Sequence, residues 1–368
     1  MRYRLVSTAN VVHIVYEILL YVWIIIGIWG LFNVIYHFHR GFFEARGFKL
    51  YYGFILVYKR TKKIKPLSLY RKLSYIHIPF FVLAILTFYQ SMITSIFIRL
   101  GLSKGVPAQL LIPGVNITGI QLVYFVIAIA VAAAIHELMH AYTAIAHGLN
   151  VKSIGFALIF ILPIAFTELD EEKLSKASTR AKVTVLAAGP SANILLALLA
   201  LFLLSFIVSP YGIVVLDTLP GSLADKYGLK QGDIILEING EPLTRSLLAK
   251  YLNNRTGVNI TLKILSNNRV KTITIYKPGN VTRLGIAFTN KPVDQLINMF
   301  GLDTALAISF IITWLYLVNL GLAVINAAPL FVSDGGRIVY EVFKNKNVSH
   351  AINLFSLLIL VLGVAPLK

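Results

Sequence analysis

The chain has 368 residues, 57% of them hydrophobic, and a mean hydropathy of +0.76. A composition this apolar excludes an ordinary soluble domain and predicts a helical protein that crosses the membrane several times. The net charge of +18 could suggest nucleic acid, but the basic residues lie beside apolar segments. We therefore expect the lipid bilayer as a partner and no nucleic acid. The chain has no cysteine, which excludes disulfides and thiolate ligands.

Hydropathy predicts a polytopic α-helical membrane protein with about six spans. They lie at about 10–36, 76–98, 121–147, 183–208, 301–326 and 350–366, the last one being short. The segment 38–73 carries ten Lys or Arg residues and one acid. By the positive-inside rule this loop is cytoplasmic, and the directions of the later spans follow from it.

Composition divides the chain into four regions. They are an N-terminal membrane region with two spans (1–110), the first part of a membrane core (111–209), a soluble domain (210–292) and the second part of the core with a C-terminal span (293–368). The soluble region contains short alternating strands, which predict a small α+β or β domain between spans four and five. Because it follows an outward-going span, we expect it on the outer or lumenal side.

Two apolar segments are too short to cross a bilayer. The segment 48–58 is aromatic and β-branched, which is typical of a β-hairpin strand at the interface or of a re-entrant segment. The segment 154–166 follows span three and is broken by Gly155 and Pro163. It is expected to be a re-entrant loop or an edge strand near the candidate site.

The strongest chemical signal lies inside span three, as His136-Glu137-Leu138-Met139-His140. On a helix, His136 and His140 point from one face and can bind the same zinc ion, while Glu137 beside them can move a proton. Ionisable residues at this depth are costly, so they indicate a functional site. The alternative is a polar patch that holds helices together.

A catalytic zinc needs a third protein ligand and an open position for water. Asp334 is the best candidate, because it is the only acid between Asp303 and Glu341 and follows a helix break. The rival ligands are Glu341 and His147. In this scheme Glu137 accepts a proton from zinc-activated water and passes it to the leaving amine.

Two asparagines accompany these motifs. Asn193 follows Gly189-Pro190 in span four, where its amide either hydrogen-bonds a neighbouring helix or steadies substrate and the developing oxyanion. The sequence leaves both roles open. In span five, Asn319 and Asn326 share one helix face.

The paired motifs resemble those of the site-2 protease family of intramembrane zinc metalloproteases. The likeness rests on His136-Glu137-x-x-His140 and Asn326-x-x-Pro329-x-x-x-x-Asp334-Gly335, and it extends over roughly 111–336. Before the Asp-Gly pair this chain has Ser333 where that family usually has leucine. Ser333 is either a hydrogen-bond partner of Asp334 or neutral.

The resemblance implies roles for individual residues. It implies a site with one zinc per chain, with Glu137 as general acid and base and with two supporting or substrate-contacting asparagines, Asn193 and Asn326. The zinc ligands that it implies are His136, His140 and Asp334.

The resemblance also implies the substrates. They are single-span membrane proteins, often already cut by another protease. The active site is expected toward the cytoplasmic side for a separate reason, because the direction of span three puts the histidine motif in its cytoplasmic half. The soluble region resembles a PDZ domain, through Gly221–Ala224, Gly228–Ile235 and Ile238–Gly240, and PDZ domains capture peptide ends by strand addition. The alternative function is a catalytically inactive membrane adaptor that binds partners through this domain.

Overall fold

The structure, a computed structural model, describes the backbone of residues 8–60, 69–254 and 256–365. The basic loop 38–73 is therefore described only in part, since 61–68 lie outside these ranges. The chain forms two compact units, one of residues 200–313 and the other of the chain before and after it.

Thirteen α-helices occur in the described ranges. They are α1 (Thr8–Phe38), α2 (Arg40–Ala45), α3 (Tyr70–Leu73), α4 (His77–Arg99), α5 (Ile120–Ala146), α6 (Glu171–Lys176), α7 (Thr179–Ile207), α8 (Leu223–Lys226), α9 (Arg245–Asn253), α10 (Asp294–Phe300), α11 (Leu302–Ala327), α12 (Asp334–Phe343) and α13 (Lys346–Val364). A short 3₁₀ helix, Ser74–Ile76, joins α3 to α4.

Five helical segments are long and apolar enough to cross a membrane, within the part of the chain that the structure describes. They are Tyr70–Arg99, Ile120–Ala146, Thr179–Ile207, Leu302–Ala327 and Lys346–Val364. This confirms a multi-span helical membrane protein with inserted sheet regions. The first predicted span lies within α1. The part of α1 from Val22 to Phe38 is an apolar helical stretch that is shorter than the five spans, so a sixth crossing stays a prediction.

The first unit contains a four-stranded antiparallel sheet in the order β1-β2-β3-β4. Its strands are β1 (Phe48–Tyr51), β2 (Ile55–Arg60), β3 (Val151–Ile159) and β4 (Leu162–Leu169). Both short apolar segments are therefore strands, and their hairpins join through β2 and β3, with Tyr58 opposite Phe156. The strand interpretation of each segment is confirmed, and β4 is an edge strand.

Polar side chains from both hairpins form hydrogen bonds across this sheet. The Lys59 ammonium lies 2.7 Å from a Glu168 carboxylate oxygen on β4, and the Ser153 hydroxyl donates to the same oxygen over 2.8 Å. These two hydrogen bonds hold the pKa of Glu168 below its ordinary value. On α1, the Trp29 indole N–H donates to the Phe160 carbonyl at the tip of the β3–β4 hairpin over 3.2 Å.

Small side chains let the spans approach closely. Ala84 on α4, Ala187 on α7 and Ala323 and Ala327 on α11 are all fully buried in one cluster. Ile338 of α12 packs against the same cluster. Van der Waals contact between small residues is the main attraction between helices in lipid, where burial of apolar surface adds little. This packing holds α4, α7, α11 and α12 together.

The second unit contains an inserted six-stranded sheet in the order β10-β5-β6-β8-β9, with β7 paired to β6. Its strands are β5 (Val208–Thr218), β6 (Ile234–Ile238), β7 (Glu241–Pro242), β8 (Val258–Ser266), β9 (Arg269–Lys277) and β10 (Ile286–Pro292). Alternate residues of β8, Ile260, Leu262 and Ile264, are fully buried in its core, as expected for a half-buried strand. The PDZ likeness of this sheet stays a proposal.

Candidate metal centre

Helix α5 brings His136 and His140 together. Their four-residue spacing places both rings on one helix face, with the two Nε2 atoms 3.1 Å apart and both side chains buried. The helix ends at Ala146, and Gly148 just beyond it has a φ of +77°. Glycine suits this position just after the helix, because its missing Cβ tolerates such a φ.

Asp334 reaches the same point from a distant part of the chain. One of its carboxylate oxygens lies 3.2 Å from each histidine Nε2. The structure thus assembles two imidazoles and one carboxylate whose ligand atoms all lie within 4.8 Å of one another. The rival ligands lie elsewhere: Glu341 pairs with Lys182 at 2.9 Å, and His147 hydrogen-bonds the Ser74 hydroxyl at 3.0 Å.

The loop that presents Asp334 is held by Ser333. The Ser333 hydroxyl donates to the Ala328 carbonyl over 2.6 Å and accepts from the Gly336 N–H over 3.0 Å, which makes Ser333 the N-cap of α12. A Cβ at Gly336 would collide with the Leu330 carbonyl, so only glycine permits this close approach. Ser333 therefore organises the backbone before Asp334 through these contacts.

Hydrogen bonds at Nδ1, the outer ring nitrogen, fix the orientation of each histidine ring. His140 Nδ1–H donates to the Val185 carbonyl over 2.7 Å, since a carbonyl can only accept. His136 Nδ1–H donates to Asn193 Oδ1 over 2.6 Å. Each ring therefore carries a proton on Nδ1, and both Nε2 atoms face the same Asp334 carboxylate oxygen, where neutral imidazoles would offer their lone pairs to a shared metal ion.

Asn193 belongs to a buried amide chain. Its Nδ2 donates to the Ala132 carbonyl over 3.0 Å and to Asn319 Oδ1 over 2.8 Å. The Asn319 Nδ2 in turn donates to the Leu315 carbonyl over 2.8 Å. Both amide hydrogens of Asn193 are thus engaged by protein acceptors, which favours the helix-bonding and His136-orienting role over donation to an oxyanion.

Asn319 is the member of this site to which the sequence assigned no role. It is fully buried in an apolar span, and a buried amide at that depth needs a partner. The signal was the helix face that it shares with Asn326. The side chain of Asn326 is half-buried and makes no hydrogen bond with the residues that the structure describes, so its supporting role stays a prediction.

Glu137 lies between the two histidines in sequence, and its side chain is half-buried. Its backbone carbonyl accepts a hydrogen bond of 2.8 Å from the Thr167 hydroxyl. Thr167 belongs to β4, so this bond fastens the edge strand of the sheet to α5 at the level of the histidine pair.

The space in front of the histidines suits a metal ion. A Cβ at Gly189 would lie 2.6 Å from His136 Nε2 and would also collide with His140 Nε2. Glycine at this place in α7 keeps the converging nitrogens uncovered. Two neutral imidazoles and a carboxylate are a donor set that zinc prefers, and three protein ligands leave one coordination position open.

Comparison with known proteins agrees with this geometry. The model of peptidase family M50 matches residues 124–363, which include both halves of the candidate site. The chain belongs to peptidase family M50. It is also similar to an uncharacterised protein of Methanocaldococcus jannaschii, with 32% identity over 289 residues that cover 76% of this chain and 73% of that protein. The chain is thus a metallopeptidase of the site-2 protease family.

The M50 match begins after α1 and α4, yet α4 is bonded to the matched core. His77 Nδ1 hydrogen-bonds the Ser191 hydroxyl over 2.8 Å. The Tyr70 hydroxyl lies 2.8 Å from His77 Nε2 and 3.0 Å from the Thr143 hydroxyl. Ser191 lies two residues from Gly189, so this polar chain fixes α4 beside the metal-binding part of the M50 fold.

We predict that Gly189→Ala abolishes metal binding while the protein still folds. The added methyl group would occupy the space that the two Nε2 atoms share, so the zinc content of purified protein should fall to near zero. Gly321→Ala is the matched control, because a Cβ at this glycine of α11 meets nothing within 4 Å. Zinc content is measured by elemental mass spectrometry, and a zinc-replete Gly189→Ala protein would contradict the assignment of this space.

We predict that Asn193→Leu weakens zinc binding by roughly 10- to 100-fold, because His136 loses the acceptor that orients it. Asn319→Leu should weaken zinc binding less, since Asn319 acts through Asn193. Affinity is measured by competition with a chelator of known zinc affinity. A normal zinc affinity together with a lowered turnover in Asn193→Leu would instead support a direct role at the oxyanion.

Proposed function

We propose that this M50 metallopeptidase is an intramembrane zinc-dependent endopeptidase that cleaves membrane-spanning segments of tethered membrane proteins. The observation that carries the proposal is the cluster of His136, His140 and Asp334, whose histidines lie on a helix apolar enough to cross the bilayer. Ionisable side chains inside a membrane span cost free energy, so their presence indicates a function.

One zinc ion per chain would be held by His136, His140 and Asp334. When bound, zinc supplies a Lewis acid, which brings the pKa of water toward neutrality and polarises a peptide carbonyl. The hydrogen bonds from the two histidines to Asn193 and Val185 keep the ligating nitrogens aimed without rearrangement.

Glu137 is the group that moves the proton. It follows His136 directly, and the Thr167 bond to its backbone holds this turn of α5 in place. Its carboxylate would take the proton from the attacking water and deliver it to the leaving amine. Asn193 acts as a positioning residue, because its amide hydrogens are already bonded to Ala132 and Asn319.

The edge strand β4 suggests how substrate is presented. A membrane helix hides its peptide bonds in its own hydrogen bonds, so a cleavable segment must first become extended. Among the described residues β4 pairs only with β3, and Thr167 ties it to the turn that carries Glu137. An extended substrate could add to the free edge of β4. We therefore expect substrates with helix-weakening residues near the scissile bond.

The distribution of basic residues favours one orientation of the chain in the membrane. The basic segment 38–73 argues for a cytoplasmic loop, which places the metal centre toward the cytoplasmic side and the domain 210–292 on the outer or lumenal side. We propose single-span membrane proteins as substrates, shortened beforehand by another protease. The PDZ-like domain would bind the peptide end that such a cut leaves.

We predict that Glu137→Gln retains zinc but loses cleavage of a co-expressed single-span substrate by at least about a hundredfold, the size of a general-base contribution. Glu172→Gln, an exposed change on α6, is the matched control and should keep both zinc and activity. Cleavage is followed by the appearance of the shorter product on a gel. Undiminished cleavage by Glu137→Gln would refute the base assignment, whereas a wild type that binds zinc but cleaves nothing would favour the adaptor function.

A further inference from the structure

A cluster of polar and basic residues lies where three spans end. It consists of Arg71, Ser74, Tyr75, His147 and Arg180. The span Tyr70–Arg99 begins there, the span Ile120–Ala146 ends just before His147, and the span Thr179–Ile207 begins beside Arg180. The contacts among these residues place the three ends at one level. Because the spans enter or leave the bilayer at that level, the cluster lies at the depth of the lipid headgroups.

The Tyr75 ring contacts both Arg180 and His147 in this cluster. The Arg180 guanidinium carbon lies 4.0 Å above the centre of the Tyr75 ring, a cation–π contact. The Tyr75 ring meets the His147 ring edge-on with 5.5 Å between centroids, and His147 Nε2 is hydrogen-bonded to the Ser74 hydroxyl. Tyrosine at this level is typical of the membrane–water interface.

The cluster has an excess of positive charge. Arg71 and Arg180 are exposed, and neither forms an ion pair with any residue that the structure describes. Burial, followed by the charges of Arg71 and Arg180, lowers the pKa of His147. The acids that follow on α6 and α12 are engaged by other cations: Glu171 by Arg337, Glu172 by Lys176 and Glu341 by Lys182.

We propose that Arg71 and Arg180, supported by Tyr75, bind the phosphate group of an anionic phospholipid headgroup at this junction of spans. Two exposed guanidinium groups that have no ion-pair partner among the described residues match the negative charge of a lipid phosphodiester at headgroup depth, and their N–H groups can donate to its oxygens. A zwitterionic lipid carries its own ammonium and would be bound less well. The proposal needs only a membrane-spanning chain, and it holds whether or not the chain cleaves membrane segments.

The bound lipid would also support the metal centre. Arg180 lies five residues before Val185, whose carbonyl orients His140. His147 lies seven residues after His140 on the same chain segment. A headgroup held by Arg71 and Arg180 would therefore link the start of the α4 span to the start of α7, beside the end of the helix that carries both histidines.

The test uses the full-length protein, delipidated in detergent and titrated with phosphatidylglycerol or phosphatidylcholine, with bound lipids counted by native mass spectrometry. We expect the wild type to prefer phosphatidylglycerol. Arg71→Gln with Arg180→Gln should weaken phosphatidylglycerol binding roughly tenfold to thirtyfold and leave phosphatidylcholine binding unchanged. The matched control, Arg269→Gln with Lys271→Gln, removes the same charge from two exposed residues of β9 and should bind lipid like the wild type.

Three outcomes would overturn the proposal. They are equal loss of both lipids, equal loss in the control variant, and displacement of phosphatidylglycerol by millimolar inorganic phosphate, which would identify a soluble anion as the occupant. Arg71→Gln alone is tested in parallel. The Arg71 side chain is exposed and makes no hydrogen bond with described residues, so this change leaves folding intact. It should weaken phosphatidylglycerol binding about fivefold.

Discussion

The candidate metal centre depends on one constraint: polar groups between membrane helices must find partners within the protein. Each histidine has two ring nitrogens, and in His136 and His140 the outer nitrogen is bonded to Asn193 and to the Val185 carbonyl. This leaves the inner nitrogens facing each other beside the Asp334 carboxylate. The convergence that suits a metal ion is thus a consequence of how α5 and α7 satisfy one another.

The backbone geometry around the site follows from the same requirement for close approach. Gly189 keeps α7 from covering the histidines, and Gly336 lets the start of α12 lie against the Leu330 carbonyl. Ser333 then caps α12 at the residue before Asp334. Glycine is needed at both 189 and 336, because an added side chain would displace a ligand or a backbone group.

The sequence was informative wherever a local rule applied. Four-residue spacing on a helix singled out His136 and His140, and the scarcity of acids singled out Asp334, which the structure places with them. The role of Asn319 could not be read in this way, because its bond to Asn193 arises from the packing of α7 against α11. The pairing of β2 with β3 could not be predicted from the sequence for the same reason, since 90 or more residues separate the partners along the chain.

The most direct test of this account is the zinc content of purified wild-type protein against Asp334→Ala, with Glu341→Ala as the control. We predict about one zinc per wild-type chain and per Glu341→Ala chain, and a sharp loss in Asp334→Ala, because two imidazoles alone hold zinc weakly. Full zinc in Asp334→Ala, or loss in Glu341→Ala, would contradict the account, because the third ligand would then lie elsewhere.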